Sequence, residues 1–136
     1  MTMGEAVAAT GLSEDTIRYY EREGLIPRLE RDGGGRRRFT LHDIARLSFL
    51  GKLRQTGMSI GEMRVYVALA VAGDHTAAER RSLLEAHAAR LRADLEIRMG
   101  ALAAIEAKID LYRESERSGA PLCCHPGAIS AARAWR

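Results

Sequence analysis

Long apolar runs are missing from this chain of 136 residues. No stretch approaches the roughly 20 consecutive apolar residues of a membrane span, and the first residues lack a secretory signal pattern. A cytoplasmic location without a membrane partner is therefore expected. Cysteine is scarce: Cys123 and Cys124 are the two present. Adjacent thiols near one end cannot build a disulfide framework, so in a reducing compartment they are thiols or metal ligands. Catalytic signatures are wanting too. There is no Cys-x-x-Cys and no Ser/His/Asp set, and Gly33-Gly34-Gly35 lacks the lysine and serine of a phosphate loop. An enzyme of thiol or metal type is disfavoured. The length suffices for one small domain plus an extension, not two full cores.

Net charge is only +3, so bulk charge says little about nucleic acid. Its distribution says more, because Arg28, Arg31, Arg36, Arg37 and Arg38 lie close together, opposed only by Glu30 and Asp32. Ahead of them, residues 11–25 organise the chain. Gly11 is a turn residue, Ser13 is placed to cap a helix, and Glu14 and Asp15 fall in the first turn, where the helix dipole favours them. Gly24 supplies a left-handed stop. Ile17, Tyr20 and Glu21 form an inward face that is only partly apolar. Thr16, Arg18, Tyr19 and Arg22 face outward with hydroxyls, guanidinium groups and an aromatic ring. Residues 3–10 read as a short alanine-rich helix in front. Helix, glycine turn and polar second helix are what a helix-turn-helix requires, with Ser13 and the outward side chains as candidate DNA contacts. From residue types alone, a charged surface helix fits equally.

The order of residues decides between them. Thr16-Ile17-Arg18-Tyr19-Tyr20-Glu21-Arg22-Glu23-Gly24-Leu25-Ile26-Pro27 closely resembles the signature of the mercury-resistance regulator (MerR) family of bacterial transcription regulators. Met3-Gly4-Glu5, Thr10-Gly11-Leu12-Ser13 and Gly57-Met58-Ser59-Ile60 extend the resemblance over most of residues 3–116.

After Pro27 the helical period is lost. The glycine tip at 33–35 between short flanks predicts a β-hairpin, the wing of a winged helix, with Arg36, Arg37 and Arg38 meeting the sugar-phosphate backbone or the minor groove. By resemblance, Arg37 matches the family's phosphate-contacting arginine, while Arg36 and Phe39 stand where tyrosines are usual.

Three hydroxyl-to-carboxylate spacings, Thr40-x-x-Asp43, Ser59-x-x-Glu62 and Thr76-x-x-Glu79, place helices near 41–56, 59–72 and 76–116, the last two with full capping boxes. Ile44, Leu47, Leu50 and Leu53 line one side of the first; Met63, Val67 and Ala70 line the second. Together with the two preceding helices they make a four-helix core.

Along the third, Leu84, Leu91, Ile105 and Tyr112 recur every seven residues, interrupted by Arg98, and Ala88, Leu95, Leu102 and Ile109 form a second register. Forty residues at about 1.5 Å each extend roughly 60 Å, too long to bury such a stripe against so small a domain. A second copy is the simplest partner. The family resemblance implies an antiparallel coiled coil in a two-fold dimer.

Ser118-Gly119 and Pro121 end that helix. Cys123, Cys124 and His125 then offer two thiolates and an imidazole, sound ligands for a soft or borderline metal such as zinc, in a segment that reads equally as a disordered tail. Zinc-type members of the family carry a similar Cys-Cys pair, completed by a partner-chain cysteine; the matching position here is Ala77, with His75 nearby as a substitute ligand. Residues 66–80 resemble the aldehyde- and electrophile-responsive branch instead. That branch's sensing cysteine falls around residues 49–54, where this chain has Lys52 or Leu53.

The expected fold is all-α with a small β-hairpin wing: a winged helix-turn-helix domain over 1–73, a coiled-coil dimerisation helix over 74–117 and an effector tail over 118–136. The expected function is a homodimeric, sequence-specific regulator of promoter DNA answering a metal ion, oxidant or electrophile. The resemblance implies RNA polymerase as a further partner. A coiled-coil adaptor without DNA affinity is the competing reading.

Overall fold

The computed structural model describes residues 1–122. The helices are α1 (Met3–Thr10), α2 (Glu14–Arg22), α3 (Leu41–Gln55), α4 (Ile60–Ala72) and α5 (Ala77–Ser118), with a 3-10 turn at Asp74–Thr76 before the last. No helix among the described residues is long and apolar enough to cross a membrane.

Each of the first four helices starts at a hydroxyl. Thr2 caps α1 in a full capping box with Glu5, in addition to the boxes expected from the sequence. Ser13 caps α2 through Thr16 N at 3.1 Å. Thr40 and Asp43 form the second full box, on α3. The boxes expected at Ser59 and Thr76 do not close. Ser59 accepts from Glu62 N, but Glu62 turns outward to Arg90, an exposed guanidinium 3.0 Å away. Thr76 is buried inside the 3-10 turn, where its hydroxyl donates to Leu69 O at 2.6 Å and Gly73 O at 2.8 Å. An inward-facing hydroxyl satisfies the end of α4 instead of starting α5.

Two helices end in the same six-residue loop. Leu25 N bonds Tyr20 O at 2.9 Å and Gly24 N bonds Glu21 O at 3.1 Å; Met58 N and Gly57 N repeat this on Leu53 O and Arg54 O at 3.0 and 3.2 Å. The pattern needs a left-handed residue, and the glycines take it with φ of 75° and 98°. Each loop then drops an apolar side chain, Leu25 or Met58, into the interior.

The chain forms two compact units, Met1–Leu91 and the part from Arg92 onward. The first holds one core. Ala6, Ile17, Leu25, Leu47, Leu50, Met58 and Met63 are fully buried, with Leu83 and Leu84 from the start of α5 packed against them. Burying an isoleucine or leucine stabilises by about 1.5–3 kcal/mol, so Ile17 anchors α2 despite that helix's charged exterior. Leu47, Leu50 and Leu53 face inward as the spacing predicts. α4 is apolar on more than one side: Met63 and Val67 are buried, while Val65 and Val71 lie exposed.

In the second unit α5 carries its heptad stripe outward. Leu95, Leu102, Ile105, Ile109 and Tyr112 are between 42% and 57% exposed in the single chain. The helix is 42 residues long and stops at Ser118, followed by Gly119 at φ 72°.

The β-hairpin does not form. Among the described residues the 31–37 segment makes one isolated antiparallel bridge, Arg31 with Arg37, and no strand. One cause is visible. The Asp32 carboxylate takes the amides of Gly34 and Arg36 at 2.9 and 3.0 Å, curling the tip into a side-chain-held turn.

Candidate nucleic-acid interface

α2 divides as its sequence implies. Ile17 and Tyr20 are buried, and burial pushes the Tyr20 hydroxyl's pKa up. Arg18 and Arg22 are exposed, Thr16 and Tyr19 half-buried. Ser13 and Thr16 are joined by their hydroxyls at 2.9 Å, so the start of the helix presents a fixed pair of small polar groups. Arg18 folds back along the helix, with one guanidinium nitrogen 3.0 Å from Glu14 Oε2 and the other 3.7 Å from Asp15 Oδ1. Exposed pairs of this kind contribute little, so a phosphate or base edge can displace them. Arg22 lies over the Tyr19 ring, 5.6 Å from its centroid, a cation–π contact that holds both side chains together.

The arginine-rich loop sits against this helix. Leu29 and Phe39, buried at either end of it, fix its base, and Phe39 exchanges two backbone hydrogen bonds with Met1, each 2.9 Å. Arg36 and Arg38 are exposed. Arg37 is not placed like them: its Nε donates to both carboxylate oxygens of Glu21, at 3.2 and 3.3 Å. The sequence pattern does not assign this role to Glu21. A carboxylate in the middle of a helix meant to face phosphates is the available signal, since it needs a cation close by. A further ion pair joins Glu23, just past the end of α2, to Arg64 of α4.

Of the candidate metal ligands, His75 is the one among the described residues. His75 is exposed, and among the described residues no group of three or more His, Cys, Asp or Glu side chains is arranged to hold a metal ion. Cys123, Cys124 and His125 lie outside the described residues. His87, another histidine near the start of α5, is buried with Nε2 2.8 Å from Thr56 Oγ1.

Known proteins resemble this chain in sequence and in fold. Two family profiles match, one described as MerR HTH family regulatory protein over residues 1–69 and one as MerR, DNA binding over residues 44–112. An uncharacterised HTH-type transcriptional regulator of Haemophilus influenzae is 34% identical over 118 residues, covering 87% of each chain. HiNmlR, described as a MerR family regulator lacking the sensor domain and solved bound to promoter DNA, is 33% identical with a TM-score of 0.82, over 88% of this chain and 91% of that one. A putative MerR family transcriptional regulator from Listeria monocytogenes is 35% identical with a TM-score of 0.79, over 88% and 90%. This chain belongs to the MerR family of helix-turn-helix transcriptional regulators.

Proposed function

We propose that the protein is a cytoplasmic homodimer that binds promoter DNA through α2 and the arginine loop. The observation carrying this is the contact at Glu21 that seats the loop bearing the exposed Arg36 and Arg38 against α2, the helix bearing Arg18, Tyr19 and Arg22. Ser13 and Thr16 add short donors at the helix start. The likeness to HiNmlR, solved with promoter DNA, supports the same reading. In this reading the loop serves as the wing without being a hairpin. Guanidinium groups there need only reach phosphates, and a turn held by Asp32 presents them as well as a ladder does.

Residues 1–73 form the DNA-binding domain, 74–117 the dimerisation helix and 118–136 the tail. The exposed heptad stripe supports pairing with a second copy, the family resemblance supports an antiparallel arrangement, and a two-fold dimer calls for a two-fold operator. Regulation then proceeds by deforming the promoter so that RNA polymerase meets its two recognition elements in register, the contacts of helix and loop repaying the deformation.

The effector is small, a metal ion, an oxidant or an electrophile. Cys123, Cys124 and His125 are the candidate ligands or reactive groups. Serine at both cysteines should abolish a metal or oxidant response and spare DNA binding; an unchanged response would dismiss the tail as sensor.

A gel shift against the DNA upstream of the protein's own gene tests the main reading. Binding should weaken as salt rises, and Arg36→Gln with Arg38→Gln should flatten that dependence by about 0.9 in log–log slope for each phosphate no longer neutralised. A protein that dimerises but shifts no DNA is a coiled-coil adaptor.

A further inference from the structure

We propose that Glu21 is a positioning residue for DNA recognition, its carboxylate locking the arginine loop against α2, and that Arg37 serves this lock instead of a phosphate. The inference rests on the DNA-binding reading above and deepens it.

The base of the loop is fixed by buried Leu29 and Phe39 and by the Phe39–Met1 backbone bonds, but its outer part has little else to hold it in place. One isolated bridge joins its two sides, and Arg38 N to Glu30 O at 2.8 Å and Asp32 N to Arg36 O at 2.9 Å are its flanking backbone bonds. All of these are internal to the loop. They fix its shape and leave the position of its outer part against α2 undetermined. Glu21 supplies that link twice. Its two carboxylate oxygens take Arg37 Nε from the returning side, and Oε2 lies 3.4 Å from Leu29 N on the outgoing side. One carboxylate thus ties both legs of the loop to the helix that reads DNA. The pair is also shielded, with 22% of the Arg37 side chain and 16% of the Glu21 side chain exposed. Water and salt screen such a pair far less than the open Arg18–Glu14 pair, each of whose side chains is about half exposed.

Electrostatics makes the proposal testable by sign. Were Arg37 a phosphate contact, Glu21 would be a nearby repulsive charge. Removing that charge would free the guanidinium, tighten binding and steepen the salt dependence by about one contact. As the lock, Glu21 does the reverse: without its charge the loop loses its seat, and Arg36 and Arg38 are no longer aimed at the backbone.

The experiment measures operator affinity against salt for the full-length dimer, using the DNA upstream of its own gene. Glu21→Gln is close to isosteric, and its helicity and dimer mass are checked first. It should bind on the order of tenfold more weakly, as expected for losing a hydrogen bond to a charged group, with a salt slope no steeper than wild type. Arg37→Lys keeps the charge but lacks the Nε donor; it should weaken binding comparably, whereas a phosphate contact would tolerate lysine. Glu21→Gln combined with Arg37→Gln should be no worse than either alone. Unchanged or tighter binding by Glu21→Gln, or opposite and additive effects of the two single changes, would overturn the lock. If the wild-type protein shifts no DNA, the DNA-binding reading itself fails, an outcome separate from tight binding by Glu21→Gln.

Discussion

His87 of α5 and Thr56 at the end of α3 meet inside the first unit, with His87 Nε2 2.8 Å from Thr56 Oγ1. The direction of the bond follows from Thr56's other contacts. Backbone carbonyls can only accept, so with the hydroxyl proton on Lys52 O at 2.9 Å or Leu53 O at 3.1 Å the oxygen is left to accept from His87, which assigns the imidazole proton to Nε2. A buried ring is thereby satisfied while the first turns of the long helix are pinned to the DNA-binding core.

Thr56→Val keeps the shape and removes the acceptor, leaving the His87 N–H buried without a partner. It should cost about 1–3 kcal/mol of stability, whereas Thr56→Ser should cost less because it keeps the oxygen. Denaturant unfolding at one fixed protein concentration measures both, since dimerisation makes apparent stability depend on concentration. Equal stabilities for valine and serine would show that the bond contributes nothing.

Arg18→Ala should weaken operator binding by more than about 1 kcal/mol, the scale of a guanidinium contact to a base edge or phosphate. Tyr19→Phe should cost no more than roughly 1 kcal/mol, removing a single hydroxyl bond while keeping the ring beneath Arg22. Titration of labelled operator DNA reads both, and unchanged affinity for a folded Arg18→Ala variant would move the reading surface elsewhere.

Leu95→Asp places a carboxylate in the middle of the exposed stripe on α5. If pairing buries that stripe, an unpaired charge there is expensive, and the protein should become monomeric and lose operator affinity together. Light scattering reports the mass directly. A stable dimer would mean the stripe packs against something other than its copy.

Asp32 governs the loop tip through protonation. Its carboxylate is held below the usual range by the Arg36 amide first and the Gly34 amide second. A lowered folded-state value means that the stabilising effect is complete above the ordinary carboxylate range and is lost as pH falls through the folded value. Amide exchange at Gly34 and Arg36 should therefore be slowed near neutral pH, beyond the intrinsic pH effect, and lose that protection in acid. Asp32→Asn should be unprotected at Arg36 at every pH if the charge is what orders the turn.

The helices are largely legible in the order of residues. Hydroxyl caps at Ser13 and Thr40, glycine stops at Gly24, Gly57 and Gly119 and the apolar spacing of α3 are local signals, each needing only a few neighbouring residues to act. The seven-residue stripe of α5 is equally local, which is why its length and its exposed face follow from spacing. The roles of individual polar groups do not. Whether Thr76 starts α5 or closes α4 depends on where Leu69 O lies after the turn folds, and no spacing contains that distance. The same holds for the arginine loop. Gly33-Gly34-Gly35 announces a turn, but strand pairing competes with side-chain bonds to the same amides, and Asp32 prevails. Arg36, Arg37 and Arg38 look alike as a run. Only the fold brings Glu21, sixteen residues earlier, within reach of the middle one. The sequence by itself determined the helices, their order and the family; tertiary structure decided which charges pair within the molecule and which stay exposed, because that depends on contacts between residues far apart in the chain.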